Sequence, residues 1–351
     1  MAQLAEHQDG ILRVTGSSPV GSTMRIAVLE PGAWGTALGI ILNKKNEVSF
    51  WYQNPELVLN FNKFRKNDRL PDIKIPQEIF ISSGLKKIVE KADLIIIASP
   101  SFNFRKTLSE LKIVIGNTRD NLPPLLGIAK GIEKETLKVP SQIVEEFFPK
   151  ISYAHLSGPG FAKEIIRGIK AEEVIASKNK FLLKELGKVF QNSSLKVSTT
   201  SDLVGVQLAG ALKNVLSIGI SLVEAKGDKD TSIEKKLIDF GLNEMAKVGK
   251  VMGAKKNTFW GPAGLGDLVL TSTNPLSRNF QFGKHLISDT QKLRKDITER
   301  KLTVEGFESA FACYQLEKNH KLDLPMINEI YKVIYENNSP EETIENLIKL
   351  V

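Results

Sequence analysis

A single cysteine, Cys313, stands among 351 residues, accompanied by only four histidines. That scarcity excludes a disulfide framework and a cysteine-based metal cluster, and the scattered histidines offer no ligand spacing, so no metal is expected. A reducing cytoplasm suits such a chain. Arginine is also scarce, at 10 of the 48 basic residues. Because arginine rather than lysine supplies the planar fork of bidentate phosphate and base readout, the basic excess reads mostly as solvated lysine. No unbroken apolar run reaches the 18 or so residues of a membrane span. Residues 1–23 lack the apolar core of a secretory signal. A basic stripe interleaved with aromatics is missing too, so nucleic-acid binding has only the net charge of +8 behind it. The charge suggests an anionic partner, with a phosphorylated metabolite and a membrane surface both open at this point, no nucleic-acid motif and no membrane span expected. The remainder is ordinary globular protein: 42% apolar and 25% charged residues place it far from disorder. Its length predicts about two domains.

The first 23 residues show no sustained periodicity and end in a Gly/Ser/Thr/Pro cluster, the composition of a flexible tail. Met24 follows, directly before an apolar strand. Residues 1–23 are therefore expected to lie outside the fold, either as a disordered native tail or as upstream sequence ahead of a start at Met24. Glu6, Asp9 and Arg13 give that segment a net charge of −1, which leaves +9 on the rest.

From Met24 short apolar runs alternate with helical patterns, the signature of a parallel sheet with crossover helices. Strands are expected at residues 25–29, 47–52, 92–99, 124–129, 151–156, 173–176 and 196–199. Near residue 200 the alternation stops. Helical patterns then take over at 203–224, 235–252, 303–319, 326–337 and 340–350. The expected organisation is a doubly wound α/β unit over residues 24–202 followed by an all-helical unit over 203–351.

The segment from Ile26 to Leu38 reads as strand, tight turn and helix start. In the dinucleotide fingerprint G-x-G-x-x-G the first glycine makes the turn, the second admits the pyrophosphate and the third packs helix on sheet. Gly32 and Gly35 fill the second and third places. Glu30 occupies the first, where a side chain burdens a tight turn and a carboxylate approaches the phosphate site. The second strand ordinarily ends in a ribose-reading acid about 20 residues on. Here Phe50-Trp51-Tyr52-Gln53-Asn54 holds no carboxylate, which leaves NADP possible and slightly favours it, with Lys63, Arg65 and Lys66 as nearby cations.

With the Gly32-Ala33-Trp34-Gly35-Thr36-Ala37-Leu38 turn read, the sequence resembles the bacterial NAD(P)-dependent glycerol-3-phosphate dehydrogenase family from Met24 to the C-terminus. Gly158-Pro159-Gly160-Phe161-Ala162-Lys163-Glu164, Gly210-Ala211-Leu212-Lys213-Asn214-Val215, Gly264-Leu265-Gly266-Asp267-Leu268, Ser277-Arg278-Asn279 and Val304-Glu305-Gly306 carry the resemblance in the family's order. It implies a Rossmann-type doubly wound sheet, then an all-helical domain of the 6-phosphogluconate-dehydrogenase-like kind. The implied reaction is reversible reduction of dihydroxyacetone phosphate to sn-glycerol 3-phosphate by NADH or NADPH. A cytoplasmic homodimer feeding glycerophospholipid synthesis is implied as well.

Carbonyl reduction needs a proton donor at the developing alkoxide. Lys213 lies in an apolar small-residue stretch just where the chain leaves the α/β half; taken alone, it reads equally as a snorkelling side chain. The resemblance makes Lys213 the general acid/base and Asp267 the acid that holds it. It places Lys130, Gly158, Gly160, Ser277, Arg278 and Asn279 with them at the substrate, Arg278 and Asn279 on its phosphate. Around the cofactor it places Gly32, Ala33, Trp34, Gly35, Gln53, Lys130, Ala162, Arg278 and Glu305. Three departures stand out: Gly160 where the family usually has Ser, Gln53 where it often has Arg, and Phe240 where an Arg is common. Two alternatives stay open at this point. One is a cofactor-binding homologue impaired by Glu30; the other is a 3-hydroxyacid or 6-phosphogluconate type dehydrogenase, which shares the plan and a catalytic lysine.

Overall fold

The computed structural model describes residues 23–116, 122–191, 193–226, 231–299 and 302–351. All but Thr23 of the N-terminal extension lies outside the described residues. Among them are ten strands: β1 (Arg25–Leu29), β2 (Glu47–Trp51), β3 (Lys66–Asn67), β4 (Leu70–Lys74), β5 (Phe80–Ser82), β6 (Leu94–Ile97), β7 (Leu125–Gly127), β8 (Tyr153–Ser157), β9 (Ala171–Ser177) and β10 (Leu195–Thr200). Eight of them form one sheet in the order β10-β9-β8-β7-β6-β1-β2-β5, and β3 pairs with β4 as a separate hairpin. Strands β1, β6 and β7 are buried end to end except at Arg25, as apolar runs sandwiched between helices must be.

The chain winds from β1 outward to β2 and β5, then returns across β1 to β6, β7 and β8. A reversal of that kind opens a crevice at the carboxyl ends of β1 and β6. Registers Leu29↔Trp51, Leu29↔Ile97 and Ile97↔Gly127 align those ends. Residues just beyond them therefore share one edge of the sheet.

One pair departs from the all-parallel expectation: β9 runs antiparallel to β8. The linking helix, Ala162–Ile166, has five residues, a rise of about 8 Å. That is too little to carry the chain back along a strand of about 17 Å, so β9 starts at the edge where β8 ended. Strands β3, β4 and β5 were not expected from the sequence.

Beyond Thr200 the described elements are helical. Helix Leu203–Ala225 is capped by Asp202, whose Oδ1 accepts from Gly205 N at 3.1 Å. By length and composition alone it could cross a membrane, although Gln207, Lys213 and Asn214 interrupt its apolar run. In the fold 94% of its most apolar window is buried, because helices Thr231–Met252, Asp267–Thr273, Arg278–Thr298, Glu305–His320, Pro325–Tyr335 and Pro340–Lys349 surround it. A Cβ on Gly210 would lie 2.7 Å from Ser157 Oγ and 3.3 Å from Lys130 Cγ. Glycine there lets this helix approach the end of β8, and so brings Lys213, one turn on, to the sheet's carboxyl edge.

Candidate active site

The turn after β1 is set by two hydrogen bonds and a helix start. Glu30 N donates to Trp51 O at 2.8 Å, the Tyr52 hydroxyl donates to Pro31 O at 3.0 Å, and Gly32 opens helix Ala33–Asn43. A Cβ on Gly35 would stand 2.7 Å from the Ala98 Cβ just past β6, whereas one on Gly32 would meet nothing nearer than Arg69 Nη1 at 3.8 Å. Gly35 thus packs helix on sheet, and Gly32 leaves an open face at a helix start with unpaired N–H groups. Trp34 Nε1 donates to Gly160 O at 3.1 Å, tying this turn to the loop after β8. Ala162 begins the short helix packed on Ala33–Asn43.

Three residues past β7, Lys130 Nζ donates to Gly158 O at 2.8 Å and to Asp267 Oδ2 at 2.6 Å. Lys213 Nζ lies 3.1 Å from Asp267 Oδ1 and donates to Thr271 Oγ1 at 2.6 Å. Thr271 follows Asp267 by one turn of helix, on the same face, and its hydroxyl lies 3.2 Å from Asp267 Oδ1. One buried carboxylate therefore serves two ammonium groups from two other elements. Burial pushes Lys213 down from the ordinary lysine range to about 8, with Asp267 opposing the shift and Lys130 adding to it. Burial favours neutral Lys130 as well, but Asp267 and Glu173 outweigh it and raise its pKa. For Asp267 the two lysines overcome burial and hold the carboxyl below its usual range.

Glu173, on β9, is a site residue that sequence reading missed. Its side chain is 1% exposed, and neither carboxyl oxygen has a hydrogen-bond partner among the described residues. A Cβ built on Gly160 would lie 2.9 Å from its Oε1, and one on Gly158 would lie 2.9 Å from its Oε2. Burial raises its pKa to about 8, against the opposing charges of Lys130 and Lys213. The only sequence signal was an adjacent pair, Glu172-Glu173, in which strand alternation must send one acid inward.

Asn279 is buried and fully engaged: Nδ2 donates to Asn214 Oδ1 at 2.8 Å and Oδ1 accepts from Gly306 N at 3.0 Å. Asn214 in turn donates to Lys130 O at 3.2 Å. Ser277 caps helix Arg278–Thr298, accepting from Phe280 N at 3.2 Å. Arg278 is exposed at the first position of that helix, with Nη1 donating to Thr303 O at 2.8 Å. The protein packed around it, and then the charge of Arg69, lower its pKa, so these two guanidinium groups face one region. Glu305 accepts from Ser101 N at 3.3 Å and from the Ser101 hydroxyl, which puts it at the crevice beyond β6. Residues 271–273 are helical, and the Thr271 hydroxyl accepts from Lys213.

Comparison with known proteins bears on this arrangement. Residues 25–182 match the N-terminal part, and residues 202–345 the C-terminal part, of NAD-dependent glycerol-3-phosphate dehydrogenase. The chain belongs to that family. A glycerol-3-phosphate dehydrogenase [NAD(P)+] of Thermoanaerobacter sp. is 33% identical over 326 residues, 93% of this chain and 97% of its own length. That of Wolbachia pipientis is 35% identical over 329 residues, covering 93% of this chain and all of its own length. The crystal structure of the Coxiella burnetii glycerol-3-phosphate dehydrogenase superposes with a TM-score of 0.86 at 27% identity, over 93% of this chain and 99% of that one. This glycerol-3-phosphate dehydrogenase family member is accordingly an NAD(P)-dependent oxidoreductase with a Rossmann-type N-terminal sheet. The comparisons favour neither an impaired homologue nor a 3-hydroxyacid type enzyme.

The dehydrogenase's own residues fit a dinucleotide. The open face at Gly32, the helix start behind it and the Arg69–Arg278 pair suit a pyrophosphate. Arg65, one of the cations considered for a 2′-phosphate, is committed elsewhere, donating to Ile79 O at 2.9 Å.

Proposed function

We propose that this enzyme reduces dihydroxyacetone phosphate to sn-glycerol 3-phosphate with Lys213 as the proton donor. The observation that carries the reading is the Lys130–Asp267–Lys213 group, drawn from a loop after β7 and two helices, at the carboxyl edge of the sheet. A bound reduced nicotinamide supplies the hydride. Lys213, as an ammonium, gives its proton to the oxygen that becomes the C2 hydroxyl and is left neutral; Asp267 and Thr271 hold its nitrogen in place throughout. Lys130, tied to Gly158 O and Asp267, adds positive charge where the alkoxide develops. Arg278 receives the substrate phosphate, while Ser277 and Asn279 shape that end by capping and by anchoring Asn214 and Gly306. Gly32, Ala33, Trp34, Gly35, Gln53, Ala162, Arg278 and Glu305 hold the cofactor.

In this reading residues 24–202 form the dinucleotide-binding domain and 203–351 the helical catalytic domain. The enzyme works as a cytoplasmic homodimer and supplies glycerophospholipid synthesis. Purified protein is expected to oxidise NADH or NADPH only when dihydroxyacetone phosphate is present, and Lys213→Ala to lose kcat far more than cofactor affinity. Full kcat in that variant would sink the assignment.

A further inference from the structure

We propose that Glu30 is the ribose-reading acid of this dehydrogenase and sets it to take NAD(H) in preference to NADP(H). The proposal rests on the cofactor reading above. In doubly wound dinucleotide folds the acid that accepts from the ribose 2′-hydroxyl stands at the carboxyl end of the second strand. That end is Tyr52-Gln53-Asn54 here, with no carboxylate. The neighbouring strand supplies one instead. Glu30 follows β1 with φ 53°, in the left-handed region, and its side chain crosses to β2, where Oε1 accepts from Gln53 N at 2.6 Å.

Position 30 is thus tied to β2 twice, since Glu30 N also donates to Trp51 O at 2.8 Å. Oε1 is held by the backbone, which leaves Oε2 to accept from a ribose hydroxyl. Glycine is the ordinary occupant of so tight a turn; the hydrogen bond to Gln53 offsets what the side chain costs there. A second carboxylate, Glu110, is bonded to Gln53 Nε2. A 2′-phosphate dianion at this corner meets the Glu30 and Glu110 carboxylates, with Lys106 as a facing cation. Arg65, the nearest arginine along the chain, turns its guanidinium to the carbonyls of Ile79 (2.9 Å) and Gln77 (3.4 Å). The departure in the glycine loop and the missing acid on β2 are then one feature: the acid has moved from the end of one strand to the end of its neighbour.

The test is direct binding to the full chain, with NADH and NADPH titrated by fluorescence and 5′-AMP and 2′,5′-ADP as competing probes of the adenosine end. Wild type is expected to bind NADH at least about tenfold tighter than NADPH, and 5′-AMP tighter than 2′,5′-ADP. Glu30→Gln, which keeps the shape and removes the charge, is expected to shrink the NADH/NADPH ratio at least about fivefold. A ratio that Glu30→Gln leaves unchanged overturns the assignment while the dehydrogenase reading stands. So does a wild type that binds neither dinucleotide until Glu30→Gly restores binding, because Glu30 is then an obstruction. Failure of wild type and both variants to bind either dinucleotide overturns the parent reading and this assignment together.

Discussion

The position of Lys213 makes a quantitative demand on the pH dependence of both reaction directions. A lysine at its ordinary pKa near 10.4 is neutral in about one molecule in 250 at pH 8. Held at about 8 by burial, it is neutral in about half. With Lys213 as the proposed proton donor, reduction needs the ammonium, so its kcat/KM is expected to fall as pH rises through about 8. Oxidation of glycerol 3-phosphate needs the amine and rises over the same window, so the two limbs mirror each other about one pKa.

Asp267 sets where that window lies. At 3.1 Å from Lys213 Nζ its charge is worth a few kcal/mol at an effective dielectric constant of about 20. It is shared with Lys130, which reduces the net shift to about one to three pH units. Asp267→Asn is therefore expected to move both limbs toward acid by that amount, and to lower kcat at pH 7 by removing ammonium from the resting enzyme. Initial rates of nicotinamide absorbance change in both directions, from about pH 6 to about pH 10, measure it. Limbs that remain near the ordinary lysine pKa in wild type, or that stay in place in Asp267→Asn, refute the electrostatic account of this site. Lys213→Met, of similar length, is expected to cost about 10² to 10⁴ in kcat while the cofactor Kd stays within about twofold.

Glu173→Gln tests the buried acid through stability alone. A carboxyl at 4.5 when unfolded and about 8 when folded destabilises the native state increasingly as pH rises between those values. The variant should match wild type in thermal melts below about pH 4.5 and exceed it progressively, levelling off above about pH 8; a pH-independent difference would contradict the burial argument. Asn279→Ala strands Gly306 N and Asn214 Oδ1, so it is expected to lower unfolding free energy by about 2–4 kcal/mol in denaturant melts and to reduce kcat through the loosened Asn214. Gly35→Val forces a branched side chain to within 2.7 Å of the Ala98 Cβ. It should cost about 1–3 kcal/mol and weaken dinucleotide binding, whereas intact affinity would show that the turn tolerates spreading.

The strands flanking the crevice were legible because burial on both faces makes β1, β6 and β7 continuous apolar runs. Strand β5, with only Phe80, Ile81 and Ser82 at the sheet's edge, has too little pattern to stand out. Helix Arg278–Thr298 escaped notice for another reason. Its buried side is sparse, at Phe280, Phe282, Leu286 and Ile297, and most of the intervening residues are polar, so no helical stripe stands out. The lysine–aspartate group was legible only through family resemblance. Lys130 and Asp267 are 137 residues apart, and no local periodicity brings such a pair together.

Gly160 shows how a departure from a family pattern changes meaning once its neighbours are known. Read along the chain, it is a serine that has lost its hydroxyl, and with it a hydrogen bond to substrate. In the fold, any side chain at 160 would begin 2.9 Å from Glu173 Oε1, so the missing Cβ makes room for a carboxyl from another strand. That carboxyl is buried within the fields of Lys130, Asp267 and Lys213, and neither of its oxygens has a hydrogen-bond partner among the described residues. Glycine at 160 and glutamic acid at 173 therefore fit one another in space. A side chain restored at 160 has to displace the Glu173 carboxyl.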